Sequence, residues 1–307
     1  MHESFSRSDL GTLQFILILI QNCETGARIG ENLEPLFEKL RKRIHDMETY
    51  DFVSGVLLRK SKVLEDKGLD SIIEDETVGY PCDIRSDALG LYRKWRNGVL
   101  DPHLLRGIDT KKGKNAKGNN FTSRNFEAGY PNKKSCNYTG EGNLVNGQWW
   151  PLQICAMRDG AHGELEGGIH GQPGKWAYSI VLGGGGYSDV DEGNMVKYCG
   201  TSGAGGEASA GTKMLKKAHE EAKDVRVLRS ATLAKDNAYR PSKGLRYDGV
   251  YKITGYEILD AGSAMHRFTL RRRSHQDPMR CSGVAARPTE EELSEYSKIR
   301  GLTGLSN

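Results

Sequence analysis

The chain has 307 residues, with 44 Lys+Arg against 40 Asp+Glu, a net charge of +4 and a mean hydropathy of −0.60. That is long enough for two domains with real cores, and too weakly basic for whole-chain charge to argue for a nucleic-acid partner. The longest apolar run, residues 15–20, is too short to span a membrane, and the acidic Glu3 and Asp9 ahead of it fit no secretory signal. Cysteines stand singly at 23, 82, 136, 155, 199 and 281, which excludes a CxxC zinc ribbon and fits a reducing compartment.

Residues 1–106 read as a small all-α region of unknown role. Leu33, Leu36, Phe37, Leu40, Ile44 and Met47 recur every three or four residues and predict one helix with a single apolar face. Pro35 sits near its start, where proline is tolerated. A second helix is predicted over 86–97, capped by Ser86 or Asp87. The run 15–20 is expected to be buried core.

Residues 107–146 are rich in Gly, Asn and Lys and read as a basic linker. Between 110 and 125 the cations Lys111, Lys112, Lys114, Lys117 and Arg124 meet no acid. Two readings stay open for this stretch: a solvated tether, or an arm that contacts phosphates or carries part of a nuclear import signal.

Residues 147–288 change to short β-branched and aromatic runs between Gly- and Asp-rich turns. WWPLQICAM, AYSIVLG, MVKYCG, VRVLRS, GVYKITGYE and HRFTLRRR are predicted strands, and one helix is predicted near 212–223. Asp248–Gly249 reads as a tight turn ahead of a strand. Thr289 opens a Thr-x-x-Glu capping box, so 289–307 are predicted as a closing helix and tail. The expected fold class is α+β, a curved sheet or partial barrel with flanking helices after the all-α region.

Four glycines, residues 183–186, follow the strand AYSIVL, and Tyr187, Asp189 and Tyr198 come next. Glycines admit close backbone approach, tyrosines offer stacking faces and a carboxylate accepts from an amino group. That set suits a flat, polar, hydrogen-bonding ligand such as a nucleobase. Tyr198 also reads as ordinary strand packing. His162 and His170 lack a ligand set at metal spacing and read as structural, so no metal or cofactor is expected.

The second half resembles the SRA family, the SET- and RING-associated or YDG domain. The matching motifs are the turn holding Gly160 and His162, GIHG (168–171), AYSIVL (177–182), VDEG (190–193), VRVLRS (225–230), RYDGVYKI (246–253) and FTLRR (268–272), covering roughly residues 147–275. The resemblance implies a PUA-like barrel or saddle that binds 5-methylcytosine in double-stranded DNA, hemi- or fully methylated, by flipping the base into a pocket. It implies a pocket lined by Gly183, Gly184 and Gly185, with Asp189 accepting from the cytosine edge and Tyr198 stacking. Cys199 and Thr201 stand near the base, and Tyr187 is the candidate second ring, because Gly186 occupies the place where the family carries one. Contacts to DNA are expected from Glu166, Gly167, His170, Lys216, Lys217, Arg271 and Arg273. The loop 203–211 lacks the basic finger some members use.

No P-loop, GxSxG, SxxK or HNH pattern is present. The expectation is therefore a non-enzymatic, nuclear reader of methylated DNA, with a chromatin protein as possible partner of the helices and no membrane. Two rivals stay open: the specificity domain of a modification-dependent endonuclease, and an SRA-like interaction module that no longer binds DNA.

Overall fold

Ser6 accepts from the Asp9 amide while the Asp9 carboxylate accepts from the Ser6 amide, a reciprocal cap that starts α1, Arg7–Ile29. The computed structural model describes residues 6–114, 118, 120–185 and 188–303. Gly30, in the left-handed conformation, ends α1. The run 15–20 is split by helical periodicity rather than uniformly buried: Ile16, Leu19 and Ile20 face the core, whereas Phe15 and Ile18 are exposed.

The other helices of this part are α2 (Glu34–Glu48), α3 (Gly55–Ser61), α4 (Leu69–Glu74) and α5 (Cys82–Arg96). α5 begins four residues earlier than predicted, and Ser86 and Asp87 lie inside it, not at its cap. Both are buried, and Asp87 faces α2. His45 on α2 lies 2.9 Å from Asp87, and Arg41 pairs with Asp83 at 2.6 Å. The apolar faces of α1, α2 and α5 close one core. α8 (Glu290–Thr303) starts at a capping box between Thr289 and Glu292. Its Glu291 reaches Lys42 and His45. Thr289–Ile299 thus belong to the same compact unit as the helices up to Arg106, and Gly107–Pro288 form a second unit.

The second unit opens not with a tether but with an antiparallel hairpin, β1 (Ile108–Lys114) and β2 (Asn120–Phe126). The following segment packs inward, burying Cys136, Leu144 and Val145. β3 is only Trp149–Trp150, and Gln153–Arg158 form the short helix α6. The predicted strand WWPLQICAM is therefore strand and helix, divided at Pro151, whose missing amide cannot extend the ladder.

The main sheet adds β4 (Ile169–Gly171), β5 (Ala177–Leu182), β6 (Val190–Asp191), β7 (Met195–Cys199), β8 (Asp224–Ser230), β9 (Leu245–Asp260) and β10 (Met265–Arg272). Its order is β4-β5-β8-β9-β10-β7-β6, with β3 beside β9. β5 and β8 run parallel and the other pairs antiparallel. The sheet is open, ending at β4 and β6 among the described residues. α7 (Ala210–Glu220) closes one face through Leu215 and Ala218 against Val225, Val227, Ile253 and Phe268. Arg226 points to the other face and donates to the carbonyls of Cys136, Tyr138, Gly140 and Ala161. One fully buried guanidinium thereby fixes the covering segment. The fold class is α+β, as the sequence pattern predicts.

Candidate functional site

The glycine run leaves the end of β5. A Cβ on Gly184 would lie 2.3 Å from the Thr232 carbonyl oxygen, and the Gly184 amide donates to Thr232 Oγ1 at 3.1 Å. The close approach that requires glycine there is to a neighbouring loop, whereas the sequence suggested approach to a ligand. Gly183 is half-buried and Gly184 and Gly185 are exposed. Gly186 and Tyr187 lie outside the described residues, so the second-ring expectation is not addressed.

After the run, the β6–β7 ladder pairs Asp191 with Val196 and Val190 with Lys197. One step further the backbone has turned away, and the Asp189 side chain continues the ladder: the Cys199 amide donates to Asp189 Oδ1 at 2.7 Å. Among the described residues Cys199 supplies the hydrogen bonds of this carboxylate. Burial pushes Asp189 above the ordinary carboxylate range, and the nearby Asp191 charge adds to the rise, against the lowering effect of the Cys199 contacts. The Cys199 thiol is also raised, mainly by burial, and lies 3.7 Å from Ser188 Oγ. It is a thiol at neutral pH and unsuited to nucleophilic chemistry.

Two residues on, Asp191 has the opposite surroundings. Arg229 binds it in a fork at 2.6 and 2.8 Å, and the Gly193 amide and Asn237 also donate to it. Burial alone would raise this carboxyl, but the Arg229 hydrogen bonds and charge hold it below its usual value. Arg229 also donates to Asp248, which takes two bonds from Arg246. Arg229, Arg246 and Asp248 are buried. Asp248 is thus part of strand β9 and of a charge cluster, and the predicted Asp-Gly turn is absent; Gly249 keeps a positive φ of 108° within the strand. The cluster fixes the β6 end from which Asp189 projects. Sequence reading missed Arg229, Asp191 and Asp248 as a set; VDEG, VRVLRS and RYDG each contribute one member.

The other expected pocket residues are placed as follows. Tyr198 is 6% exposed, belongs to the α7-side core and donates to the Gly168 carbonyl at 3.0 Å. Thr201 is tied to the start of α7, its hydroxyl beside Ser209 Oγ and its carbonyl accepting from Ser209 and Thr212. Both are held by the fold; Gly184 lies against Thr232 after β5, and Asp189 is anchored to Cys199 at the end of β7.

Of the expected DNA contacts, Glu166 and Gly167 are exposed in a loop ahead of β4. Gln153 donates to the Glu164 and Gly167 carbonyls, both at 2.9 Å. His162 donates from Nε2 to the Gly167 carbonyl at 2.8 Å and faces Ser179 Oγ with Nδ1 at 2.9 Å. Burial pushes His162 down to about 3, which fits the neutral tautomer those bonds require. His170 is buried, between Asn137 and Glu164, and does not face outward as expected. Lys216 lies over the Tyr256 ring at 5.4 Å, and Lys217 donates to the Gly174 carbonyl. Arg273 pairs with Asp224 at 2.7 Å, and Arg271 is exposed on β10. Leu165, 49% exposed between two glutamates in the same loop, was not anticipated. Its signal is an apolar residue in an acidic, Gly-flanked turn. Among the described residues no group of His, Cys, Asp or Glu is placed to hold a metal ion, and no helix is long and apolar enough to cross a membrane.

The sequence model of the SAD/SRA domain matches residues 138–276. Among curated proteins, bovine "E3 ubiquitin-protein ligase UHRF1" is 33% identical over 189 residues, covering 51% of this chain and 23% of that protein. A "UHRF1-like protein" of Cryptococcus neoformans is 30% identical over 159 residues, 43% of this chain and 45% of that one. Among solved structures, the SUVH5 SRA complex with hemimethylated CG DNA is 26% identical with a TM-score of 0.39, covering 46% of this chain and 98% of that one. The chain spans only about a quarter of the bovine relative's length. The expectation of a non-enzymatic protein is overturned by these relatives: the UHRF1 proteins matched carry the name of E3 ubiquitin-protein ligases, and the likeness runs through a segment of them.

Proposed function

Residues 138–276 are an SAD/SRA domain, and from that premise we propose that the chain binds methylated DNA by taking a 5-methylcytosine, turned out of the duplex, into the space beside Asp189. The observation that carries the reading is the Asp189 carboxylate, half-buried, anchored to the Cys199 amide through one oxygen and shortly after the glycine run in the sequence. A cytosine presents an amino donor to such an acceptor, and thymine or uracil does not. The wrong base would leave a partly desolvated carboxylate without that donor. Gly183, Gly184 and Gly185 form the backbone wall, Tyr198 the floor, and Cys199 and Thr201 the small side chains near the methyl group. Burial of one methyl contributes only about 0.8 kcal/mol, so edge hydrogen bonding and stacking of about 1–3 kcal/mol must offset most of the flipping cost, a few kcal/mol. Glu166, Gly167 and Leu165 form the loop that meets the duplex, with Arg271 as a phosphate contact. The chain works in the nucleus on this reading.

The test is a titration of the full chain with duplexes that differ only in one 5-methylcytosine, with 2-aminopurine beside the site to report unstacking. Preference for the methylated duplex with a fluorescence rise is expected. Asp189→Ala should abolish the preference and leave a salt-dependent, sequence-independent affinity. Equal affinity of the wild-type chain for both duplexes, or full preference in Asp189→Ala, overturns the reading.

A further inference from the structure

We infer that Gln153 is a positioning residue for DNA binding: its side-chain amide closes the turn 164–167 ahead of β4 from outside, so that the loop is already formed when it meets the duplex, a partner that rests on the proposed function.

The turn has no closing bond of its own. Among the described residues no backbone hydrogen bond links Glu164 to Gly167, although its ends are close: a Cβ on Gly167 would lie 3.1 Å from the Glu164 Cβ. A turn without its internal bond is open. Gln153 Nε2 supplies the closure, donating to the Glu164 carbonyl and to the Gly167 carbonyl, both at 2.9 Å. A side-chain amide nitrogen carries two donors, and here both go to the two ends of one turn. Both partners are carbonyls, which fixes the orientation of the amide.

The foot of the loop is tied to the domain. His162 Nε2 reaches the same Gly167 carbonyl at 2.8 Å from a fully buried ring. The Gly168 carbonyl accepts from the Val181 amide at 2.8 Å and from the Tyr198 hydroxyl at 3.0 Å. The loop therefore ends on the residue proposed as the floor of the base pocket.

What the loop exposes decides which step it serves. Its exposed side chains are Glu164, Leu165 and Glu166, and none is cationic, so it adds nothing to the phosphate attraction that holds any duplex. An apolar side chain contacts bases rather than phosphates. A turn left open would have to be ordered on binding, a cost that preorganisation removes. Loss of the Gln153 donors therefore weakens the complex with a turned-out base and spares the sequence-independent affinity.

The test compares the full chain with Q153A and Q153E; Q153E keeps the side-chain length and, ionised, has no donor. Duplexes with and without one 5-methylcytosine are titrated, with 2-aminopurine beside the site, and NMR order parameters of the 164–167 amides are measured in the free proteins. The order parameters should fall in both variants from about 0.85 toward 0.6. Preference for the methylated duplex should fall about tenfold, as loss of two neutral hydrogen bonds implies, with a smaller fluorescence rise. Affinity for the unmethylated duplex should stay within about twofold of wild type, because phosphate attraction sets it. Thermal melting establishes that the variants are folded. An undiminished preference in folded Q153E, or unchanged order parameters, overturns the inference. An equal loss on both duplexes also overturns it, since a merely structural role would give that. Equal affinity of the wild-type chain for both duplexes overturns the pocket reading instead, and the order parameters then still decide whether Gln153 closes the turn.

Discussion

Asp189 and Asp191 are two residues apart at one end of the same sheet, yet they do opposite things with a negative charge. Asp191 is closed on all sides: a forked guanidinium, a backbone amide and an asparagine amide saturate its oxygens. Asp189 has Cys199 alone among the described residues. The first is pushed down by Arg229 against burial, the second up by burial. A carboxylate that is satisfied within the chain builds structure, and one that is partly desolvated and under-supplied with donors is available to a ligand.

The largest expected break of that contrast is Asp248→Ala. It leaves Arg229 and Arg246 in the interior with an acceptor removed, and losing one member of a buried charge cluster costs about 3–5 kcal/mol. Urea denaturation should show it, and a loss under 1 kcal/mol would mean the cluster is not what fixes the β6 end. Asp189→Asn should act almost wholly on binding. Removing a charged acceptor costs about 1.5–3 kcal/mol, a ten- to hundredfold loss on methylated DNA by fluorescence anisotropy, while stability moves by less than about 1 kcal/mol.

Acidity separates the pair further. Asp191 has a lowered folded value, so its stabilisation is complete above the unfolded carboxylate range near 3.8 and is lost as pH falls through that lower folded value. Asp189 has a raised value: its contribution is present below about 3.8 and is lost as pH rises through the higher folded one. Carboxyl NMR titration should find the midpoints on opposite sides of 3.8, and the same order in both would undo the comparison. The smallest effect belongs to Ser188→Ala, expected within about 0.5 kcal/mol in stability because the hydroxyl has a thiol at 3.7 Å as its partner.

Helices with a single apolar stripe were legible in the residues. The stripe from Leu33 to Met47 became α2, and the helix predicted near 212–223 became α7. The Thr289 capping box was readable because all its signals lie within four residues. What failed has physical causes. Residues 108–126 carry too few apolar side chains for any period to register, although their backbones pair along seven positions. In 149–157 the aromatic and β-branched residues favour strand, but Pro151 halts it and α6 follows. Asp248 looked like a turn because its partner Arg229 is 19 residues away, and Asp191 lies 38 from the same guanidinium. From its neighbours Asp189 was legible as a carboxylate in a glycine-rich loop, and the family resemblance gave it an expected contact with the base; its anchoring to a strand amide required the ladder to be seen.

The return of Thr289–Ile299 to the N-terminal helices sets an order of assembly. On a ribosome the helices up to Arg106 emerge first, but their last contributor, with Tyr296 and Ile299 buried and Glu291 near Lys42 and His45, emerges only after the whole of Gly107–Pro288. Domains generally fold as units during synthesis. Here the first unit to appear is the last to be completed, and its early helices must wait with one flank uncovered while the sheet is made.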